Sequence, residues 1–129
     1  MSVSLQQTIK AFSAGGGRGH IDVTVNATNN GSEPVLNASD ALGFLVRDAA
    51  GNQMPIHRIP PIGPDMGGII QRGVSFDRRI SFDTGPVDFG QEYTMTCRHM
   101  VTGDFDMRTF GFIHVYLETA GQPPFDQKS

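Results

Sequence analysis

The histidine and carboxylate side chains are the groups of this chain that could support acid–base or metal chemistry. The four histidines are His20, His57, His99 and His114. No two of them have the His-x-His or His-x-x-x-His spacing typical of zinc sites. His99 and His114 stand on consecutive predicted strands, which a hairpin could bring together, with Asp104 or Asp106 as a third ligand. That arrangement would suit a small metal-dependent hydrolase, but hydrogen-bonded strand histidines are favoured, and we predict no metal site.

The other motifs that support catalysis or cofactor binding are incomplete. Asp104 and Asp106 form an Asp-x-Asp loop, but they do not match the EF-hand pattern, and we interpret them as solvated turn carboxylates. Cys97 lies inside a predicted strand on the core side, where a thiol behaves as a small apolar group. The glycines of residues 15–19 lack the lysine and the strand-to-helix context of a phosphate-binding loop. We therefore predict no catalytic residue and no cofactor.

Length, charge and cysteine content restrict the class of protein. The chain has 129 residues, which fits one domain, and a formal net charge of -3, which does not attract nucleic acid. No apolar stretch approaches the length of a membrane span, and the N-terminal sequence lacks the features of a signal peptide. Cys97 is the one cysteine, which excludes an internal disulfide. We expect a cytoplasmic protein with neither nucleic-acid nor membrane partners.

Three Asn-x-Ser/Thr triplets, at Asn26, Asn30 and Asn37, match the acceptor pattern for N-glycosylation. In a secreted eukaryotic protein they would mark glycosylated positions. Because the chain contains many Asn, Ser and Thr residues, we interpret the triplets as chance matches. The expectation of a cytoplasmic protein is unchanged.

Glycine and proline residues separate short apolar runs along the chain, which indicates strands joined by turns. The alternation of apolar and polar residues is clearest from His20 to Thr28. We predict strands over residues 3–11, 20–28, 42–48, 53–59, 74–82, 93–101 and 109–118, with a further short strand at 35–36. They form a single domain over residues 1–121, followed by a polar tail, 122–129, that we expect to fray.

The segment from Val87 to Cys97 reads Val-Asp-Phe-Gly-Gln-Glu-Tyr-Thr-Met-Thr-Cys and resembles the tyrosine corner of immunoglobulin and fibronectin type III domains. In that motif a tyrosine near the start of the sixth strand hydrogen-bonds back to the preceding connection. The resemblance implies that Tyr93 takes this structural role. We therefore predict an all-β fold, an immunoglobulin-like antiparallel β-sandwich of about seven strands.

A looser resemblance extends over residues 21–97 and concerns mainly turns. An Asn-rich turn at 29–35 precedes the segment 43–51, Gly-Phe-Leu-Val-Arg-Asp-Ala-Ala-Gly, and the segments 72–75 and 90–93 follow. This pattern is similar to that of the bacterial intracellular proteinase inhibitor family and implies the same kind of sandwich. The chain departs from it by a Pro/Gly-rich insertion and by the absence of Trp, so we do not predict inhibitory activity.

The last predicted strand is more apolar than a strand with one solvated face requires. One of its sides carries Phe110, Phe112, His114 and Tyr116, and the other side is apolar as well. Whichever side joins the core, the other leaves an apolar stripe on the outer surface. Such a stripe indicates either a partner contact or a cover formed by another part of the chain.

The Pro/Gly-rich segment 55–73 is the second region with an apolar excess. Its apolar residues are Ile59, Ile62, Met66, Ile69 and Ile70. These side chains are too apolar for a freely solvated loop. The segment is therefore either a recognition loop or a lid over the sandwich edge.

From these two regions we predict a non-enzymatic module that binds a protein partner or associates with itself, which is compatible with a homo-oligomer. The predicted partner-binding residues are Phe110, Phe112, His114, Tyr116, Ile62, Met66 and Ile69. The alternatives are a structural subunit of a larger assembly, a carbohydrate-binding module and the small metal-dependent hydrolase. The sequence does not identify the partner.

Overall fold

Strands and tight turns make up nearly all of the part of the chain that the computed structural model describes, which is residues 3–36, 41–60 and 69–114. The strands in these ranges are β1 (Val3–Gly15), β2 (Arg18–Asn29), β3 (Val35–Leu36), β4 (Leu42–Arg47), β5 (Gln53–Met54), β6 (Ile56–Ile59), β7 (Ile69–Ile70), β8 (Ser75–Pro86), β9 (Tyr93–His99) and β10 (Phe105–Phe110). The described ranges hold no helix long and apolar enough to cross a membrane.

The strands form two antiparallel sheets of four strands each. The first sheet has the order β1-β2-β8-β6, the second has the order β10-β9-β4-β5, and β3 pairs separately with β7. When the strands of the two large sheets are lettered in chain order, with β5 as C′, the sheets read A-B-E-D and G-F-C-C′. The predicted all-β sandwich is confirmed.

One core fills the space between the two sheets. Along β2 every second residue is buried, and Ile21 and Val23 have no exposed surface, as the alternation predicts. The first sheet contributes the core residues Ala11, Ile21, Val23, Val25, Ile80 and Phe82, and the second contributes Leu42, Val46, Tyr93, Met95 and Cys97. Burial raises the pKa of the Cys97 thiol to about 12, so this side chain is a neutral core group.

Tyr93 links the start of β9 to the connection that follows β8. Its hydroxyl accepts a hydrogen bond from the backbone N–H of Asp88 at 2.9 Å. Its ring lies edge-on against Phe112, with the ring centroids 5.2 Å apart. The hydrogen bond predicted for Tyr93 is therefore present, and it fixes the connection as the chain passes from one sheet to the other.

The predicted strand 53–59 is divided between the two sheets. Its first part is β5, which pairs with β4, and its second part is β6, which pairs with β8. Pro55 lies between the two parts. Because proline has no N–H to donate to a sheet ladder, pairing is interrupted at this residue and the chain changes sheet.

The last strand of the described residues, β10, begins earlier than the predicted strand 109–118 and covers Phe105–Phe110. Gly103 has a φ of 82°, and its N–H donates to the carbonyl oxygen of His99 at 2.7 Å, so the turn closes directly after β9. Beyond β10, Ile113 forms an isolated parallel bridge with Phe12. The remainder of the predicted strand and the tail 122–129 lie outside the described residues.

The described residues 30–36, 69–74 and 100–104 lie at the same end of the sandwich, which we call the loop end. A second small core stabilises it and consists of Val3, Ala27, Val35 and Ile70. The fully buried side chain of Asn29 donates to the carbonyl oxygens of Glu33 at 2.7 Å and Ile70 at 2.9 Å. These bonds hold two of the connections in fixed positions, because buried carbonyl groups require partners.

Candidate interaction face

The outer face of the second sheet is defined by the pairing of β4, β9 and β10. Directly opposite residues of antiparallel strands project from the same face. Three rows result, which are Gly43–Arg98–Phe105, Leu45–Thr96–Met107 and Arg47–Thr94–Thr109. We call these nine residues, together with the adjoining Met100, the apolar–basic face.

Large apolar side chains on this face are in direct contact with solvent. Phe105 and Met107 are each 58% exposed, and Met100 is 61% exposed. A Cβ atom at Gly43 would lie 3.0 Å from the sulfur of Met100, so the absence of a side chain at Gly43 allows Met100 to lie over β4. Met100 therefore adds apolar surface over Gly43, and Arg98 lies between it and Phe105.

The charged groups of the face are guanidinium groups. Arg98 lies over the ring of Phe105, with the guanidinium carbon 6.0 Å from the ring centroid, a cation–π arrangement. Arg47 donates from one terminal nitrogen to the carbonyl oxygen of Gly51 at 3.0 Å. None of the ten residues of the face is Asp or Glu. The face thus carries two positive charges on a chain whose net charge is -3.

The nearby carboxylates, Asp104 and Asp106, are bonded to β1 and lie outside the rows of this face. Asp104 accepts a hydrogen bond from the N–H of Val3 at 2.9 Å. That bond and a hydrogen bond with Thr102 hold the pKa of Asp104 below its ordinary value. One carboxylate oxygen of Asp106 accepts from the backbone N–H of Gln7 at 3.3 Å and from its side-chain amide at 3.1 Å. The two residues are therefore not the solvated turn carboxylates that the sequence predicted.

The outer face of the first sheet is polar and its side chains bond across strands. His20 contacts Asp83 at 3.2 Å and Asp22 at 3.0 Å, and the hydroxyl of Ser81 donates to Asp22. Burial alone raises the pKa of Asp22, but the hydrogen bonds from Ser81 and His20 and the charges of His20 and Arg79 lower it below the ordinary value. The side-chain amide of Asn26, a residue of the first Asn-x-Ser/Thr triplet, donates to Asp77 at 2.7 Å on the same face.

The predicted partner-binding residues are distributed over different environments. Phe112 is 2% exposed and belongs to the core, so the prediction that it faces a partner is wrong. Phe110 pairs with the buried Tyr93, so the side of the strand that carries Phe110 and Phe112 faces the core. Phe110 is half-buried and stacks on Tyr93 with the ring centroids 5.9 Å apart. His114 is exposed and stacks on Phe89 at 3.9 Å.

In the Pro/Gly-rich segment, Ile69 is 62% exposed at the loop end. Ile62 and Met66, and Tyr116 of the last predicted strand, lie outside the described residues. Val74, which follows this segment, is 48% exposed. The described end of the segment therefore adds apolar surface to the loop end.

The structure does not bring together the residues of the alternative hydrolase site. His99 is fully buried beside the loop end, where its Nδ1 accepts a hydrogen bond from the N–H of Thr102 at 3.3 Å. His114 follows β10 at the opposite end of the sandwich, against Phe89. Within residues 3–36, 41–60 and 69–114, no group of three or more His, Cys, Asp or Glu side chains is arranged to hold a metal ion.

The apolar–basic face was missed by sequence reasoning, although one signal for it exists. Phe105, Met107 and Thr109 alternate with Asp106 and Arg108, the period expected of a strand. Because Gly103, Asp104 and Asp106 are typical loop residues, the sequence predicted a loop over this segment instead of a strand. No protein-family model matches this chain, and neither does any curated protein or any solved structure.

Proposed function

We propose that this protein is a non-enzymatic, immunoglobulin-like module that binds a protein partner through the apolar–basic face. The observation that carries the proposal is the exposure of Phe105 and Met107 at consecutive outward positions of β10, with the exposed Met100 over Gly43 at the other side of the same face. Single exposed apolar residues are common on protein surfaces, but a contiguous patch of them is typical of an interaction site.

The immunoglobulin-like assignment is supported by two observations. The two large sheets have the strand order A-B-E-D and G-F-C-C′. The hydroxyl of Tyr93 bonds to the N–H of Asp88, as in a tyrosine corner. In such a sandwich the sheets are a rigid support, and variation of surface residues determines what is bound.

The expected energetics favour binding through this face. Complete burial of a Met or Phe side chain contributes about 1.5–3 kcal/mol relative to full exposure. Phe105 and Met107 project from a strand that pairs with β9 along its length, so little backbone order has to be gained on binding. Ile69 and Val74 at the loop end provide a second, smaller contact area for the same partner.

The proposal is tested by comparing two lysine variants in partner capture from the native host. Met107→Lys places a charge in the middle of the apolar–basic face. Ile113→Lys is the matched control, because Ile113 is 64% exposed but lies beyond β10, outside this face. We expect Met107→Lys to lose the captured protein and Ile113→Lys to retain it.

If both variants capture the partner equally well, the proposal is contradicted. Light scattering on the same variants then tests whether the chain associates with itself. An oligomer of the isolated chain that Met107→Lys dissociates and Ile113→Lys does not would identify the partner as a second copy and the protein as a self-associating subunit.

A further inference from the structure

We propose that the partner binds the apolar–basic face with a strand. Of the strand residues that face this protein, the first is acidic, the second apolar and the third acidic. This inference rests on the proposed function and specifies the chemistry of the partner. It follows from the positions of two arginines and of the small side chains between them.

The two arginines start from opposite ends of the face. Arg98 is on β9, and Arg47 is on β4 opposite Thr94, so the two arginines are four residues apart along the strand direction. At about 3.3 Å per residue their Cα atoms are separated by about 13 Å in this direction, and by one strand spacing, about 4.8 Å, across the sheet. The line that joins them is therefore inclined by roughly 20° to the strands, within the range of aligned sheet packing.

The surface between the arginines is low and uncharged. Thr96 lies in the middle row, flanked by Leu45 and Met107, and Thr94 lies in the row of Arg47. Threonine is shorter than either neighbour, so the central strand forms the floor between two apolar side chains. One apolar side chain of a partner fits this floor between the two charges.

A strand reproduces this spacing in its outward residues. Every second residue of a strand projects from the same face, so residues i and i+4 lie about 13 Å apart with residue i+2 between them. Carboxylates at i and i+4 then lie opposite the two arginines, and an apolar side chain at i+2 contacts Leu45 and Thr96. A helix reaches a comparable spacing only between residues i and i+8, about 12 Å apart along its axis, so a strand is the shorter segment that matches the two arginines.

A second copy of this chain fits less well. A two-fold axis through the face would place arginines against arginines, and juxtaposed like charges oppose association. The carboxylates on the outer face of the first sheet are bonded within their own sheet, since Asp22 and Asp83 contact His20 and Asp77 accepts from Asn26. The charge of the face therefore favours a different, acidic protein.

The test uses a phage-displayed β-hairpin library, randomised at the outward positions of one strand and selected on the full-length protein. We expect the selected hairpins to carry Asp or Glu at i and i+4 with an apolar residue at i+2. The affinity of one synthesised hairpin is then measured against the wild type, Arg98→Glu and, as a control cation on the other sheet, Lys10→Glu. Arg98→Glu should weaken binding by about tenfold, and a hairpin with Lys in place of the facing acid should restore it.

The outcomes separate this inference from the proposed function. Hairpins without acidic residues, or binding that Arg98→Glu leaves unchanged while Met107→Lys abolishes it, would overturn the acidic partner and leave the face as a binding surface. Binding unaffected by Met107→Lys would overturn both. A dimer of the isolated protein that Met107→Lys dissociates would overturn the acidic partner in favour of a second copy.

Discussion

The two sheets of the sandwich have the same core-facing pattern but different outer faces. On the first sheet, polar side chains such as His20, Asp22 and Asp83 bond to one another across strands. On the second sheet, Phe105 and Met107 occupy the equivalent outward positions and are more than half exposed. Strand alternation alone requires a polar outer face where water is the only neighbour. This difference supports the proposal that the second sheet binds a partner through its outer face.

The largest expected effect distinguishes the core from the apolar–basic face. Phe112 packs against Tyr93 and Phe110 in the core, so Phe112→Ala should reduce the free energy of unfolding by about 3–5 kcal/mol. Met107→Ala removes an exposed side chain and should change the free energy of unfolding by less than about 0.5 kcal/mol. Urea unfolding measures both values. Similar losses in the two variants would show that Met107 belongs to the core and would remove the contrast between the two sheets.

A pair of glycine variants provides an intermediate effect. A Cβ at Gly19 would lie 2.5 Å from the ring of Phe112, so Gly19→Ala should destabilise the fold by about 1–3 kcal/mol through overpacking. At Gly43 the Cβ would meet the end of the flexible side chain of Met100 at 3.0 Å. Gly43→Ala should therefore displace Met100 at little cost. Thermal unfolding measures the loss of stability in each variant. A larger loss in Gly43→Ala than in Gly19→Ala would show that Met100 is packed against the protein and is not available to a partner.

The smallest effect concerns the polar face of the first sheet. The pKa of Asp22 is lower in the folded protein than its ordinary value of 3.8, so its stabilising contribution is complete above that value and is lost as the pH falls through the folded pKa. Asp22→Asn should therefore cost up to about 1 kcal/mol at pH 6 and progressively less in acid. Unfolding followed from pH 6 to below the ordinary pKa provides the measurement. A cost that stays constant with pH would mean that the carboxylate charge of Asp22 is not part of the bonded network.

The sequence was sufficient for features that depend on local alternation. The buried residues of β2 follow from their period of two. The bond of Tyr93 was expected from the resemblance of residues 87–97 to a tyrosine corner. Alternation placed Phe110 and Phe112 on the same side of a strand, but it did not show which side faces the core. The pairing of Phe110 with the buried Tyr93 on β9 decides this, and that pairing is not visible in the local sequence.

The apolar–basic face required information that no single segment contains. Phe105, Leu45 and Arg98 belong to three strands, and their common face depends on the register of β10 on β9 and of β9 on β4. A shift of register by one residue would place each of these side chains on the opposite face. The charge of the surface, and hence the class of partner, follows only after the register is known.

Hydroxyl-radical footprinting of the methionines tests the central claim most directly. In the isolated protein, Met100 and Met107 should oxidise readily, because they are 61% and 58% exposed, and the fully buried Met95 should not. In the protein isolated from its native host together with its partner, both exposed methionines should be protected, while the exposed Ile113 is modified as before. Equal modification of Met100 and Met107 in the two preparations would contradict the assignment of this face as the binding surface.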